Sequence, residues 1–97
     1  MDLVEFEWDD AKATSNRRKH GVSFSEAATV WKDQWALEIA DPDHSIYEDR
    51  GVRIGMIAGS KVLVVVFTES DPGLKVRIIY ARRATQNEEQ QYFARRV

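Results

Sequence analysis

The chain contains no cysteine, only two prolines and only five glycines in 97 residues. Without thiols there is no disulfide framework, no thiolate metal site and no cysteine nucleophile. The longest unbroken apolar run, Val62 to Phe67, is six residues, whereas a helix crossing a bilayer needs about 20. Met1 to Glu5 carries acids and no base, so the basic n-region of a secretory signal is missing and an unprocessed, cytoplasmic chain is expected. No phosphate-binding GxxxxGK, GxGxxG, HExxH or GxSxG occurs, and His20 and His44 stand far apart; neither a metal site nor a cofactor is expected. Linkers, repeats and low-complexity tracts are also missing. With 43% apolar and 31% charged residues, the composition is that of one globular domain spanning 1–97.

A large excess of either charge is lacking too, but the net −2 conceals blocks of opposite sign. Residues 1–10 hold five acids and no base, and residues 11–25 hold four bases and no acid. Residues 26–49 hold seven acids against Lys32, and residues 72–97 hold six bases against Glu88 and Glu89. A pI near 5.6 argues against a general nucleic-acid coat and leaves room for a local basic cleft that binds phosphate. The plainer alternative is that acidic and basic segments face one another as surface ion pairs.

Alternation predicts strands and period 3.6 predicts helices. Val4, Phe6 and Trp8 alternate with Glu5 and Glu7 as a first strand; Asp9 as N-cap and Gly21 as terminator bracket a helix over about Asp10 to His20. Ser23 to Glu26 is a capping box, followed by Phe24, Ala27, Ala28 and Trp31 at helical spacing. Ala36 to Ala40 reads as a short strand, Asp41 to His44 as a turn, and a polar loop runs through Asp49. Val52, Ile54 and Met56 alternate into a two-residue Gly59–Ser60 hairpin turn, and Val62 to Phe67 reads as a strand buried on both faces. After the Asp71–Pro72–Gly73 turn, Val76, Ile78 and Tyr80 share one face of the last strand; strict alternation puts Arg77 and Arg83 together and Arg82 opposite. Thr85 to Glu88 is a second capping box, opening a terminal helix anchored by Tyr92 and Phe93. The string β-α-α-β-β-β-β-α describes an α+β fold with a mostly antiparallel sheet packed by helices.

Three groups of side chains could carry chemistry. His44, Glu48 and Arg50 place an imidazole, a carboxylate and a guanidinium within seven residues of a loop. Cutting RNA without a metal needs a base for the 2′-hydroxyl, an acid for the departing 5′-oxygen and cations for the phosphorane charge, and these residue types can fill those roles. Arg77, Arg82 and Arg83 lie on the last strand and its exit, where they either pair with carboxylates or face an anionic cleft. Lys12, Lys19 and His20 belong to the basic first helix, whose last-turn cations also complement the helix dipole. Trp8 and Trp31 fall on inward phases as core, and Trp35 is unassigned.

Phe6-Glu7-Trp8-Asp9, Lys12, Asn16, Lys19-His20-Gly21-Val22-Ser23-Phe24, Glu26-Ala27, Asp41, His44, Glu48, Arg50, Gly55, Arg77-Ile78-Ile79, Ala81-Arg82-Arg83-Ala84-Thr85, Glu88 and Tyr92 together closely resemble the BrnT family, the toxin half of type II BrnT–BrnA toxin–antitoxin modules. The resemblance runs from Phe6 to about Arg96. It implies a RelE-like fold, an RNA-cleaving activity that inhibits translation, and neutralisation by a BrnA-like antitoxin that carries the DNA-binding domain, so that DNA is reached only through the partner. Its characteristic polar positions fall on His44, Glu48, Arg50, Arg77, Arg82 and Arg83, with Lys12, Lys19 and His20 on the first helix. Beyond the resemblance, Arg77 with Arg82 or Arg83 is expected at the scissile phosphate, Glu48 or His44 at proton transfer, and Arg50 as an orienting group. Tyr80 departs from the pattern, standing where a small residue such as Ser is expected. The rival is a degenerate module that binds the antitoxin and serves operon autoregulation without cutting RNA. A free-standing DNA-binding regulator is disfavoured by the acidic pI and the lack of a recognition helix.

Overall fold

The computed structural model describes residues 4–40, 50–71 and 73–96. Asp9 caps the first helix by accepting a 3.0 Å bond from the Lys12 N–H, and Gly21, at φ 69°, ends it in the left-handed conformation that an L side chain resists. Between them lies α1 (Asp10–His20). Ser23 and Glu26 close the predicted capping box and open α2 (Phe24–Ala28), which tightens into a 3-10 turn over Thr29–Lys32. The second box, Thr85 with Glu88, opens α3 (Gln86–Arg95).

The strands are β1 (Glu5–Glu7), β2 (Leu37–Ala40), β3 (Arg50–Ile57), β4 (Lys61–Asp71) and β5 (Lys75–Arg83). They form one sheet in the order β1-β5-β4-β3-β2, an antiparallel meander from β2 to β5 with β1 parallel on the far edge. The expected mixed architecture and element order are therefore present. Val62 to Phe67 is buried throughout, because β4 is central and covered on both sides. One face packs Leu63, Val65, Phe67, Val76, Ile78 and Ala81 under Phe24, Ala27 and Val30, with Trp8 and Trp31 against this cluster as expected. The other face gathers Ile54, Val62 and Val64 around Tyr92 of α3.

Three local expectations change. Ile57 pairs with Lys61, so the β3–β4 connection holds three residues, with Gly59 and Ser60 both at positive φ. The second strand begins at Leu37, after an Asp33–Ala36 backbone bond has turned the chain. The consequential change is in β5, where Phe67 pairs with Ile78 but Val66 pairs with Tyr80, leaving Ile79 as an extra residue. This bulge shifts the alternation by one. Arg77, opposite Thr68, and Arg82, opposite Val64, consequently share the α3 face, whereas Arg83, opposite Leu63, lies on the other. Tyr80 moves with Arg82 away from the buried side that Val76 and Ile78 occupy.

Candidate nucleic-acid interface

Helix α1 is polar all round and has almost no apolar stripe to hold it. What docks it is Asn16, whose Nδ2 donates to the carbonyls of Val22 (3.0 Å) and Ala81 (2.9 Å) while its Oδ1 accepts from the Ala81 N–H (3.1 Å). The reason lies in the sheet. Strand β1 covers β5 only from Lys75 to Arg77, so the backbone edge at Ala81 needs other partners. One side-chain amide takes the place of a strand there.

This clamp brings one face of α1 beside β5. Lys12, Ser15, Asn16 and Lys19 recur at helical spacing, and with His20 they face Ile79, Tyr80 and Arg82 across an open cleft of about 470 Å³. The sequence expectation for Lys12, Lys19, His20 and Arg82 thus falls on one surface. No ion pair among the described residues engages Lys12 or Lys19, which leaves a cationic field over the cleft.

Arg82 is fixed from behind. Its two terminal nitrogens donate to both oxygens of Glu88, at 2.8 and 2.9 Å, the bidentate geometry that suits guanidinium to carboxylate. The Arg82 hydrogen bonds pull the Glu88 carboxyl down to about 2, against the opposing effect of burial, and the Thr85 N–H adds to the lowering. Glu88 in turn raises the affinity of Arg82 for its proton. The same carboxylate completes the α3 capping box by accepting from the Thr85 N–H at 2.8 Å, so α3 and Arg82 are oriented by one side chain.

Arg77 stands outside the cleft, on the same sheet face as Arg82. It donates to Glu7 at 3.1 Å, and Lys75 approaches Glu7 at 3.4 Å; the Arg77 hydrogen bond holds the Glu7 carboxyl below the usual carboxylate range. Arg50 opens β3 opposite Thr68, which is itself opposite Arg77. A transverse row therefore places Arg50 and Arg77 two strands apart on one face, a separation of about 10 Å. Arg83 lies on the other face. His44 and Glu48 lie outside the described residues.

Three residues in this arrangement had no role at the site assigned from sequence: Asn16, Glu88 and Tyr80. A lone Asn in mid-helix is a poor helix former and hints at a side-chain task. Glu88 was visible as a capping residue but not as the partner of Arg82. Among the described residues, no group of three or more His, Asp or Glu is placed to hold a metal ion.

No curated protein matches this sequence significantly. Among solved structures, the Brucella abortus ribonuclease toxin BrnT, a crystal structure at 1.1 Å, matches with a TM-score of 0.67 and 24% identity over 86% of this chain and 99% of that one. That likeness establishes the fold. The sequence profile of the family described as "ribonuclease toxin, BrnT, of type II toxin-antitoxin system" matches residues 8–88, a span that takes in α1, the whole β2–β5 meander and the Arg82–Glu88 pair. The chain belongs to the BrnT family of ribonuclease toxins of type II toxin–antitoxin systems.

Proposed function

We propose that the chain is a metal-independent endoribonuclease, a single cytoplasmic domain over residues 1–97 that inhibits translation by cutting RNA and is silenced in a hetero-oligomer with a BrnA-like antitoxin. The observation that carries this reading is the convergence of Lys12, Lys19, His20 and Arg82 on one open cleft in a member of a ribonuclease toxin family. In the proposed reaction the 2′-oxygen attacks phosphorus as its proton passes to Glu48 or His44. The 5′-oxygen leaves with a proton taken from water, giving a 2′,3′-cyclic phosphate and a 5′-hydroxyl end. Arg77 and Arg82 offset the phosphorane charge, Arg50 orients the proton-transfer group, and Lys12, Lys19 and His20 hold the RNA alongside. Arg83 lies on the opposite face, so Arg77 with Arg82 is the preferred phosphate pair. A partner that covers the cleft would silence it by occupancy, with DNA reached only through that partner.

A second reading draws on one observation: Arg77 and Arg82 each already hold a carboxylate, Glu7 and Glu88. A degenerate module that binds antitoxin and serves autoregulation without cutting RNA would tolerate such neutralised arginines. Inducible bacterial expression of the wild-type chain beside an Arg77→Ala, Arg82→Ala double variant separates the two. Growth arrest with RNA loss in the wild type alone, and cleavage by the purified chain that persists in EDTA, is expected of the ribonuclease. Soluble wild-type protein without arrest would leave the binding module.

A further inference from the structure

Inside the α1–β5 cleft, the rings of His20 and Tyr80 stand with centroids 6.5 Å apart and planes inclined by 30°. Stacked bases are spaced by about 3.4 Å, so two stacking intervals amount to about 6.8 Å. The centroid separation is close to the span that one interleaved base requires. Both side chains are solvent-exposed, Tyr80 at 39%, although its neighbour Ala81 is fully buried. The bulge at Ile79 accounts for the contrast: without the extra residue, Tyr80 would follow Val76 and Ile78 into the core. Bulges re-aim side chains in this way. Around the rings, Lys12, Lys19 and Arg82 supply cations, and Ile79 supplies a half-buried apolar surface.

We infer that the cleft captures one unstacked base of single-stranded RNA between the His20 imidazole and the Tyr80 ring, with Lys12 and Lys19 on the flanking phosphates. The inference rests on the reading of the cleft as an RNA site and adds to it the mode of recognition. Sequence-specific recognition of RNA targets bases that can be splayed out and stacked on aromatic side chains, and a two-ring clamp selects single strands because a paired base cannot enter it.

The test uses the full chain and a short, non-cleavable 2′-O-methyl oligoribonucleotide with a central 2-aminopurine, whose fluorescence is quenched when the base stacks. Wild type should quench the probe on binding. Tyr80→Ser and His20→Ala should each weaken binding about tenfold, within the range of aromatic–base stacking, and relieve the quenching at saturation; Tyr80→Phe, which keeps the ring, should retain both. Wild-type binding without quenching, or equal quenching by Tyr80→Ser, overturns the clamp and leaves the RNA site standing. If wild type binds no single-stranded RNA at all, the clamp and the RNA reading fall together.

Discussion

Among the described residues Asn16 is the buried polar side chain; its two bonds to Ala81 substitute for ladder bonds that a longer β1 would have made to β5, and its third ties α1 to the Val22 carbonyl. Asn16→Ala removes all three and leaves buried backbone groups of Val22 and Ala81 unpaired. Since an unsatisfied buried group costs about 1–3 kcal/mol, the variant should lose about 2–4 kcal/mol, measured as a lowered urea midpoint at unchanged slope. Asn16→Asp should be worse, because a carboxylate would face two carbonyl oxygens with no N–H between them. A wild-type midpoint for either variant would mean that α1 is held some other way. Gly55 makes a second case at this scale: a Cβ there would stand 2.7 Å from Val30 Cγ1 and 3.2 Å from the Ala36 Cβ. Gly55→Ala should therefore destabilise by about 1–3 kcal/mol as an overpacked core does, readable in the same denaturation experiment.

Helix α3 is held at both ends of its length by ionisable contacts, so its docking depends on pH in both directions. At its start, Glu88 has a folded pKa of about 2 against an ordinary value of 4.5. A depressed carboxyl adds stability that is complete above the unfolded value and disappears as pH falls through the folded one; stability should decline from about pH 5 towards pH 2, and Glu88→Gln should flatten that decline. Further along, Tyr92 donates to Asp33 at 2.5 Å. Burial, with Asp33 beside it, pushes the Tyr92 phenol up to about 12 from 10. A raised folded pKa contributes below the unfolded value and is lost as pH climbs, so stability should also fall between about pH 10 and 12, a limb that Tyr92→Phe abolishes. Thermal midpoints across both ranges check the two limbs. Much at the level of elements was legible beforehand: the boxes at Ser23 and Thr85, the Gly21 stop and the doubly buried Val62 to Phe67 run all follow from local rules. The β5 bulge was not, because Val76, Ile78 and Tyr80 alternate smoothly across it and Tyr is equally at home buried or exposed. Nor was the seat of α1, since a helix without an apolar stripe gives periodicity nothing to read; the cations of the cleft were visible in sequence, their convergence only through Asn16.

Across the whole molecule, the blocked charges resolve into two kinds. The acidic N-terminal block meets the basic C-terminal block where Glu5 and Glu7 of β1 face Lys75 and Arg77 of β5, and Glu38 meets Arg53 across β2 and β3. These pairs account for part of the alternation in sign without any ligand. The cations of α1 are different, because Lys12 and Lys19 border the cleft with no carboxylate in salt-bridge range among the described residues. A chain of net charge −2 binds an anion through local fields such as this one, and the salt dependence of RNA affinity should count its contributors. Each phosphate neutralised on a single strand contributes about −0.7 to the slope of log affinity against log salt. Lys12→Ala with Lys19→Ala should make that slope shallower by about 1.4, measured between 50 and 200 mM salt with a non-cleavable single strand. Tyr80→Ser, which removes a ring and no charge, should lower affinity at every salt concentration and leave the slope as it was. Were the double lysine variant to keep the wild-type slope, the phosphates would have to be held elsewhere, and α1 would be a wall of the cleft rather than its electrostatic guide.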